Sequence, residues 1–174
     1  NMLTHEALPT PPPDPRPTDP PEANGGGGTR NAFVLYDVPV KRVLHHLVLR
    51  APVRTSALRG LGAFPNVFAI ECFMDELAER AGVDPVQYRL SMLSDMRARR
   101  LIENIAHRCN WVSRGAAGNG LGLGLGWARY KNRAAYAAVA AEVEVDQEVK
   151  LRRIWCAADA GLVINPDGAR NQLE

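Results

Sequence analysis

Aromatic side chains are scarce, at 6% of 174 residues, so any core has to be assembled mainly from alanine, valine and leucine. Net charge is almost absent as well, with 21 basic against 19 acidic residues, and no aromatics are interleaved with the arginines. That balance argues against a nucleic-acid-binding chain, whose affinity rests on unneutralised positive charge. Cysteine is limited to Cys72, Cys109 and Cys156, which form no CxxC or other metal-type spacing. A dispersed, odd-numbered set excludes a disulfide framework and is expected to serve as small apolar core residues. His45 and His46 are adjacent, so on a strand they face opposite ways and cannot share a metal. No apolar run approaches the roughly 20 residues of a membrane span. No charged-then-apolar stretch reads as an export signal, and the compartment stays open.

What is present divides the chain sharply. Residues 1–30 hold a proline-rich run ending in four glycines, Gly25–Gly28. Prolines extend a backbone and glycines loosen it, so this part is expected to be a linker or surface excursion outside the core. From 31 onward the composition is that of one α+β domain, or a piece of a larger one. Phe33–Val53 has partly alternating apolar residues interrupted by Pro39, which predicts two short strands. Val67, Ile70, Met74, Leu77 and Ala81 recur at helical spacing, predicting a helix over 66–81, with Gly82 as its left-handed C-cap. Asp84 and Pro85 open a second helix to about Leu93, and a third runs from Asp95 to about Cys109.

The helical segment, about 65–110, then gives way to an antiparallel meander over about 119–164. Glycine and leucine alternate through Gly118–Gly126, predicting a strand with leucines on one face and bare backbone on the other. Val139–Asp146 alternates apolar and acidic residues, and a polar turn at Gln147–Glu148 leads to a third strand over Leu151–Ala158. Asp159–Gly161 and Asn165–Gly168 read as turns.

Few constellations suggest chemistry. Glu71 and Asp75, four apart on the long helix, are expected to flank its apolar stripe, solvated or locally paired. Arg97, Arg99, Arg100 and Arg108, with Arg89 upstream, are expected to form a solvated helix face. The Gly-Leu alternation fits neither a dinucleotide loop nor a P-loop. Arg59-Gly60-Leu61-Gly62 is different: two glycines beside an arginine, immediately before a helix N-terminus, form an anion-binding arrangement on physical grounds, with an ordinary tight turn as the alternative.

The segment LRGLGAFPNVFAIECFMDELAERAGVDPVQYRLSML resembles a stretch of the molybdenum-cofactor-binding large subunit of the xanthine dehydrogenase/aldehyde oxidoreductase family. That stretch reads, loosely, RGxGxPQxxFxxExxxDExA followed by GxDPxxxRxxN. Ala138–Asp146 and Asp159–Glu174 (DAGLVINPDGARNQLE, against DxGxxxNPxxxxxQxEG) agree in order. The bacterial branch of isoquinoline 1-oxidoreductase and nicotinate dehydrogenase is the nearer likeness.

The resemblance implies that Arg59 and Gly60 approach a molybdenum-molybdopterin cofactor, in its cytosine dinucleotide form, and that Gln172 contacts the pterin. Leu61 falls where xanthine-type enzymes place a substrate-stacking aromatic, so a purine substrate is not expected. The implied reaction is hydroxylation of an N-heterocycle or aldehyde with water as oxygen source. Electrons would pass to a 2Fe–2S small subunit, with a cytochrome c subunit as a further candidate partner. The family's general base and its glycine-rich dinucleotide segments have no counterpart in residues 1–174, and Glu174 matches the motif's own glutamate. No catalytic residue or metal ligand is therefore assigned, and the isolated chain is expected to be inactive. The rival reading is a scaffold or interaction domain that keeps these motifs as packing elements.

Overall fold

A computed structural model of the chain describes residues 16, 27–48, 56–113 and 120–173. Three helices come first: α1 (Ala63–Ala81), α2 (Pro85–Ser91) and α3 (Met96–Arg108). Their ends are set by local chemistry. Gly82 stops α1 in the left-handed region (φ 64°), its N–H returning to the carbonyls of Ala78 and Glu79. Asp84 accepts from the N–H groups of Val86 and Gln87 to start α2, and Asp95 does the same for α3 through Arg97 and Ala98.

An antiparallel sheet follows in the order β1-β2-β3, from β1 (Leu121–Arg129), β2 (Tyr136–Val145) and β3 (Val149–Asp159). The register pairs Leu125 with Ala140 and Trp127 with Ala138, and a bulge lies at Glu142/Val143. Leu125, Trp127, Tyr136, Ala138 and Ala140 are buried with Ala98, Leu101, Ile102 and Ile105 of α3, joined by Met74 of α1 and Leu90 of α2. Helices packed on one face of an antiparallel meander make the fold α+β, as the sequence predicts. The opposite face is not solvated in the usual polar way. Val139, Ile154 and Cys156 are exposed there beside glycines and alanines, and Phe64, Phe68 and Phe73 are exposed on α1. Apolar faces of this extent suit a chain that forms part of a larger domain.

Several expectations fail in instructive ways. Between Phe33 and Val48 there is no strand pair, only an isolated bridge at His45, and residues 49–53 lie outside the described part. Pro39 breaks the alternation, and the segment instead inserts Tyr36 into the core while Asp37 N–H binds Met92 O at 2.7 Å. Asn165–Gly168 is more than a turn: Asn165 caps a short helix, α4 (Pro166–Asn171), by accepting from Gly168 N–H. Cys109 is buried as expected of a small apolar residue, whereas Cys72 and Cys156 are exposed. Residues 27–30, at the end of the stretch read as linker, dock on the start of α1 with Thr29 buried. The proline-rich run before them, apart from Arg16, lies outside the described residues. No helix among those described is long and apolar enough to cross a membrane.

Candidate functional site

The loop ahead of α1 is built by two reverse bonds, Leu61 N–H to Leu58 O (2.9 Å) and Ala63 N–H to Gly60 O (3.1 Å). Closing it that tightly puts Gly60 at φ 92° and Leu61 at φ 52°. Glycine takes the first without cost; a branched leucine in the left-handed region costs roughly 1–2 kcal/mol, strain that has to be held by its surroundings. Arg59 extends outward, exposed, and its Nη2 donates to Oε1 of Gln172 at 2.8 Å. Gln172 stands at the C-terminal end of α4. The candidate positions Arg59, Gly60, Leu61 and Gln172 are therefore brought together, although 113 residues separate the first from the last.

This cluster offers donors. The remaining guanidinium N–H groups of Arg59 and the amide N–H2 of Gln172 make no hydrogen bond among the described residues. A planar cation and an amide at the N-terminus of a 19-residue helix suit an anionic phosphate and the mixed donors and acceptors of a pterin ring, so the residues present fit that group. Among the described residues, no three His, Cys, Asp or Glu side chains converge as metal ligands.

The largest electrostatic feature lies elsewhere, along the flank of α1. Glu71 is buried. Its Oε2 accepts from Arg89 Nε (3.0 Å) and from Trp127 N–H (3.3 Å), and its Oε1 accepts from the Tyr36 hydroxyl (2.8 Å). Arg89, with no exposed surface, also donates to Asp75 Oδ1 (2.6 Å), Pro85 O (3.2 Å) and Glu71 O (2.9 Å). Trp127 Nε1 donates to the Tyr36 oxygen at 2.8 Å, and the two rings meet edge to face at 5.9 Å. Burial pushes Glu71 above the usual carboxylate range against the opposing pull of Arg89. It raises the Tyr36 phenol too, with Glu71 adding to the effect. For Arg89, burial works against the charge, but Glu71 and Asp75 outweigh it and the guanidinium stays protonated. A cleft of about 20 Å³ beside Tyr36, Glu71 and Asn132 has room for roughly one water.

This hub corrects two expectations. Glu71 is not solvated, because its position, four after Val67 and three before Met74, lies within the apolar stripe of α1. Arg89 is not part of a solvated face either, since it falls three after Val86 and next to Leu90, both buried. That clash between polar identity and apolar phase is the signal that could have revealed the pair. Of the other arginines, Arg97 forms a two-pronged pair with Asp159 (2.8 and 2.6 Å), and Arg99 donates to the carbonyls of Leu90 and Leu93.

Two family models, each described as a molybdopterin cofactor-binding domain, match residues 23–93 and 59–174. A nicotinate dehydrogenase subunit of Pseudomonas putida is 41% identical over 162 residues, which cover 84% of this chain and 14% of that protein. The beta subunit of isoquinoline 1-oxidoreductase from Brevundimonas diminuta is 35% identical over 162 residues, covering 90% of this chain and 20% of that protein. Aldehyde oxidoreductase of Megalodesulfovibrio gigas is 46% identical over 54 residues, covering 31% of this chain and 6% of that protein. The chain thus spans a fifth or less of the length of these relatives. Together, the matched residues and the three-motif order place it: the chain belongs to the molybdopterin cofactor-binding domain family of xanthine dehydrogenase-type oxidoreductases.

Proposed function

We propose that this chain supplies one wall of the cofactor pocket in the large subunit of a molybdenum hydroxylase acting on an N-heterocycle or an aldehyde. The observation that carries the reading is the Arg59–Gln172 hydrogen bond at 2.8 Å, which joins two separated motifs into one donor-rich surface at the start of α1. When bound, the molybdenum-pterin group, in its cytosine dinucleotide form, supplies a two-electron oxidation in which a substrate C–H and water give C–OH, two protons and two electrons.

The chain's own residues bind and orient. Arg59 neutralises the anionic part of the cofactor, and Gly60, lacking a side chain, lets the backbone come close to it. Gln172, held at Oε1 by Arg59, would contact the pterin through its N–H2. Leu61 gives the substrate side an aliphatic wall in place of a stacking ring, which favours compact heterocycles and aldehydes over purines. None of these groups moves a proton. The general base and the rest of the pocket come from outside residues 1–174, and electrons leave through a 2Fe–2S small subunit, with a cytochrome c subunit as the next acceptor. Residues 31–174 serve as part of the cofactor domain and 1–30 as its linker or surface excursion, the last four of them docked on the start of α1.

The test is metal and nucleotide analysis of the large subunit encoded by the complete reading frame that carries these residues, purified with its iron–sulfur partner. Bound molybdenum, cytidine nucleotide released by acid, and oxidation of a heterocycle such as nicotinate are expected. A folded, partnered subunit without molybdenum overturns the proposal in favour of a scaffold role. Activity from residues 1–174 alone overturns the division of labour.

A further inference from the structure

We infer that Gly27–Arg30 and Asn66 form a clasp that sets the position of the cofactor loop, making Gly62 and Asn66 positioning residues for cofactor binding. The inference rests on the function proposed above, but the clasp itself is a matter of geometry. At the N-terminus of α1, Gly62 has no side-chain cap, and its N–H is satisfied by Gly27 O at 3.0 Å. The approach is so close that a Cβ on Gly62 would lie 2.3 Å from Gly28 O and 2.7 Å from Gly27 O, both backbone atoms that cannot swing away. One turn later, Asn66 Nδ2 donates to Gly28 O (2.8 Å) and Arg30 O (2.9 Å), spending both amide protons on the same segment.

That segment is in turn anchored to the sheet. Asn31 Nδ2 donates to Arg129 O and to Asn132 Oδ1, both at 2.9 Å, and Asn31 Oδ1 accepts from Lys131 N–H at 2.9 Å. Asn132 Nδ2 closes the circuit on Phe33 O at 2.8 Å. The strand connection at 130–132 therefore holds residues 27–33, and these hold Gly62 and Asn66. Two residues before Gly62 stands Gly60, and next to it the strained Leu61. A left-handed leucine relaxes unless its neighbours are fixed, and the clasp fixes the residue on its C-terminal side. Loop placement thus depends on a segment outside the recognisable motif. Asn66 does not touch the cofactor; it acts through the backbone it pins.

Gly62→Ala and Asn66→Asp test this in the intact subunit. The alanine wedges the clasp apart, while the aspartate keeps the shape of Asn66 and turns two donors into acceptors facing carbonyls. Amide exchange at Leu61, Gly62 and Ala63 is expected to accelerate about tenfold or more, with β2 amides unchanged, and molybdenum per folded molecule is expected to fall several-fold. Wild-type exchange in the loop of both variants overturns the clasp. Faster loop exchange with undiminished molybdenum per folded molecule overturns its role in cofactor binding. If Gly62→Ala does not fold, Asn66→Asp carries the same comparison. A wild-type subunit without molybdenum would defeat the proposed function, whereas the exchange measurement would still decide whether the clasp exists.

Discussion

Replacing Arg89 by methionine should cost this chain more stability than almost any other single change. The guanidinium is fully buried and makes hydrogen bonds to Glu71 Oε2, Asp75 Oδ1, Pro85 O and Glu71 O. Methionine fills much of the volume but leaves Glu71 a buried anion with donors only from Tyr36 and Trp127. Breaking a buried pair in this way costs about 3–5 kcal/mol, out of the roughly 5–15 kcal/mol that holds a domain folded. Glu71→Gln should cost less, about 1–3 kcal/mol, because Arg89 keeps Asp75. The double variant should be more stable than the two separate losses imply, by about 1–3 kcal/mol, because the stranded charge has gone. The pH dependence has a definite sign. Glu71 is already raised by burial, and losing Arg89 raises it further. A carboxyl with a folded pKa above its unfolded value of about 4.3 binds protons more tightly when folded, so the Arg89→Met deficit should shrink as pH falls from neutral towards that unfolded value. Urea unfolding followed by far-ultraviolet circular dichroism measures all three, and an unchanged m-value would show that the denatured state is unaltered. A loss under about 1 kcal/mol, or strict additivity in the cycle, would refute the account of the hub.

Asp84→Ala removes the cap of α2 and the carboxylate that accepts from Trp111 Nε1 at 2.9 Å, and should cost about 1–2 kcal/mol in thermal unfolding. The Asp159 carboxyl, held down to about 2 by Arg97 and then by Gly161 N–H, should titrate well below the usual carboxylate range when followed by carboxyl NMR. Its folded pKa is depressed below an unfolded value of about 3.9, so its contribution is present above that pH and disappears as pH falls through about 2; Arg97→Ala should return it towards the ordinary value. Exposed Cys72 and Cys156 should react with a thiol reagent in the native chain and buried Cys109 only after unfolding, and prompt reaction of all three would contradict the packing at the end of α3.

The elements legible in the sequence are those whose signals are local. Gly82, Asp84 and Asp95 announce helix ends because capping bonds span only a few residues, and they sit where the periodicity predicts. The meander is readable for the same reason, since alternation in β1 and β2 reports a face and not a partner. Failures begin where a residue answers to something distant. Phe33–Val48 carries strand-like alternation, but Tyr36 is drawn into the core by Glu71, 35 residues away, and by Trp127, 91 residues away. No window of the sequence contains both partners.

The candidate site shows the same division. A glycine-broken turn ahead of a helix is legible at Arg59–Gly62, and Gly60 and Leu61 take the left-handed conformations that close it; its binding of an anion belongs to the function proposed above. Nothing local connects it to Gln172; only the order of motifs does, and the 2.8 Å bond makes that link physical. Gly27–Arg30 goes further: it lies within the matched family region but ahead of the motif that marks the loop, and a run of glycines on its own reads as slack. Slack is the wrong inference here for a steric reason: Gly62 can meet another backbone at van der Waals distance only because it lacks a Cβ, and the backbone it meets is that of the glycine run. Two glycine segments that each look permissive alone become restrictive when packed together. On the clasp proposed above, the position of the cofactor loop is set less by the motif that names it than by the glycine-rich stretch that precedes it.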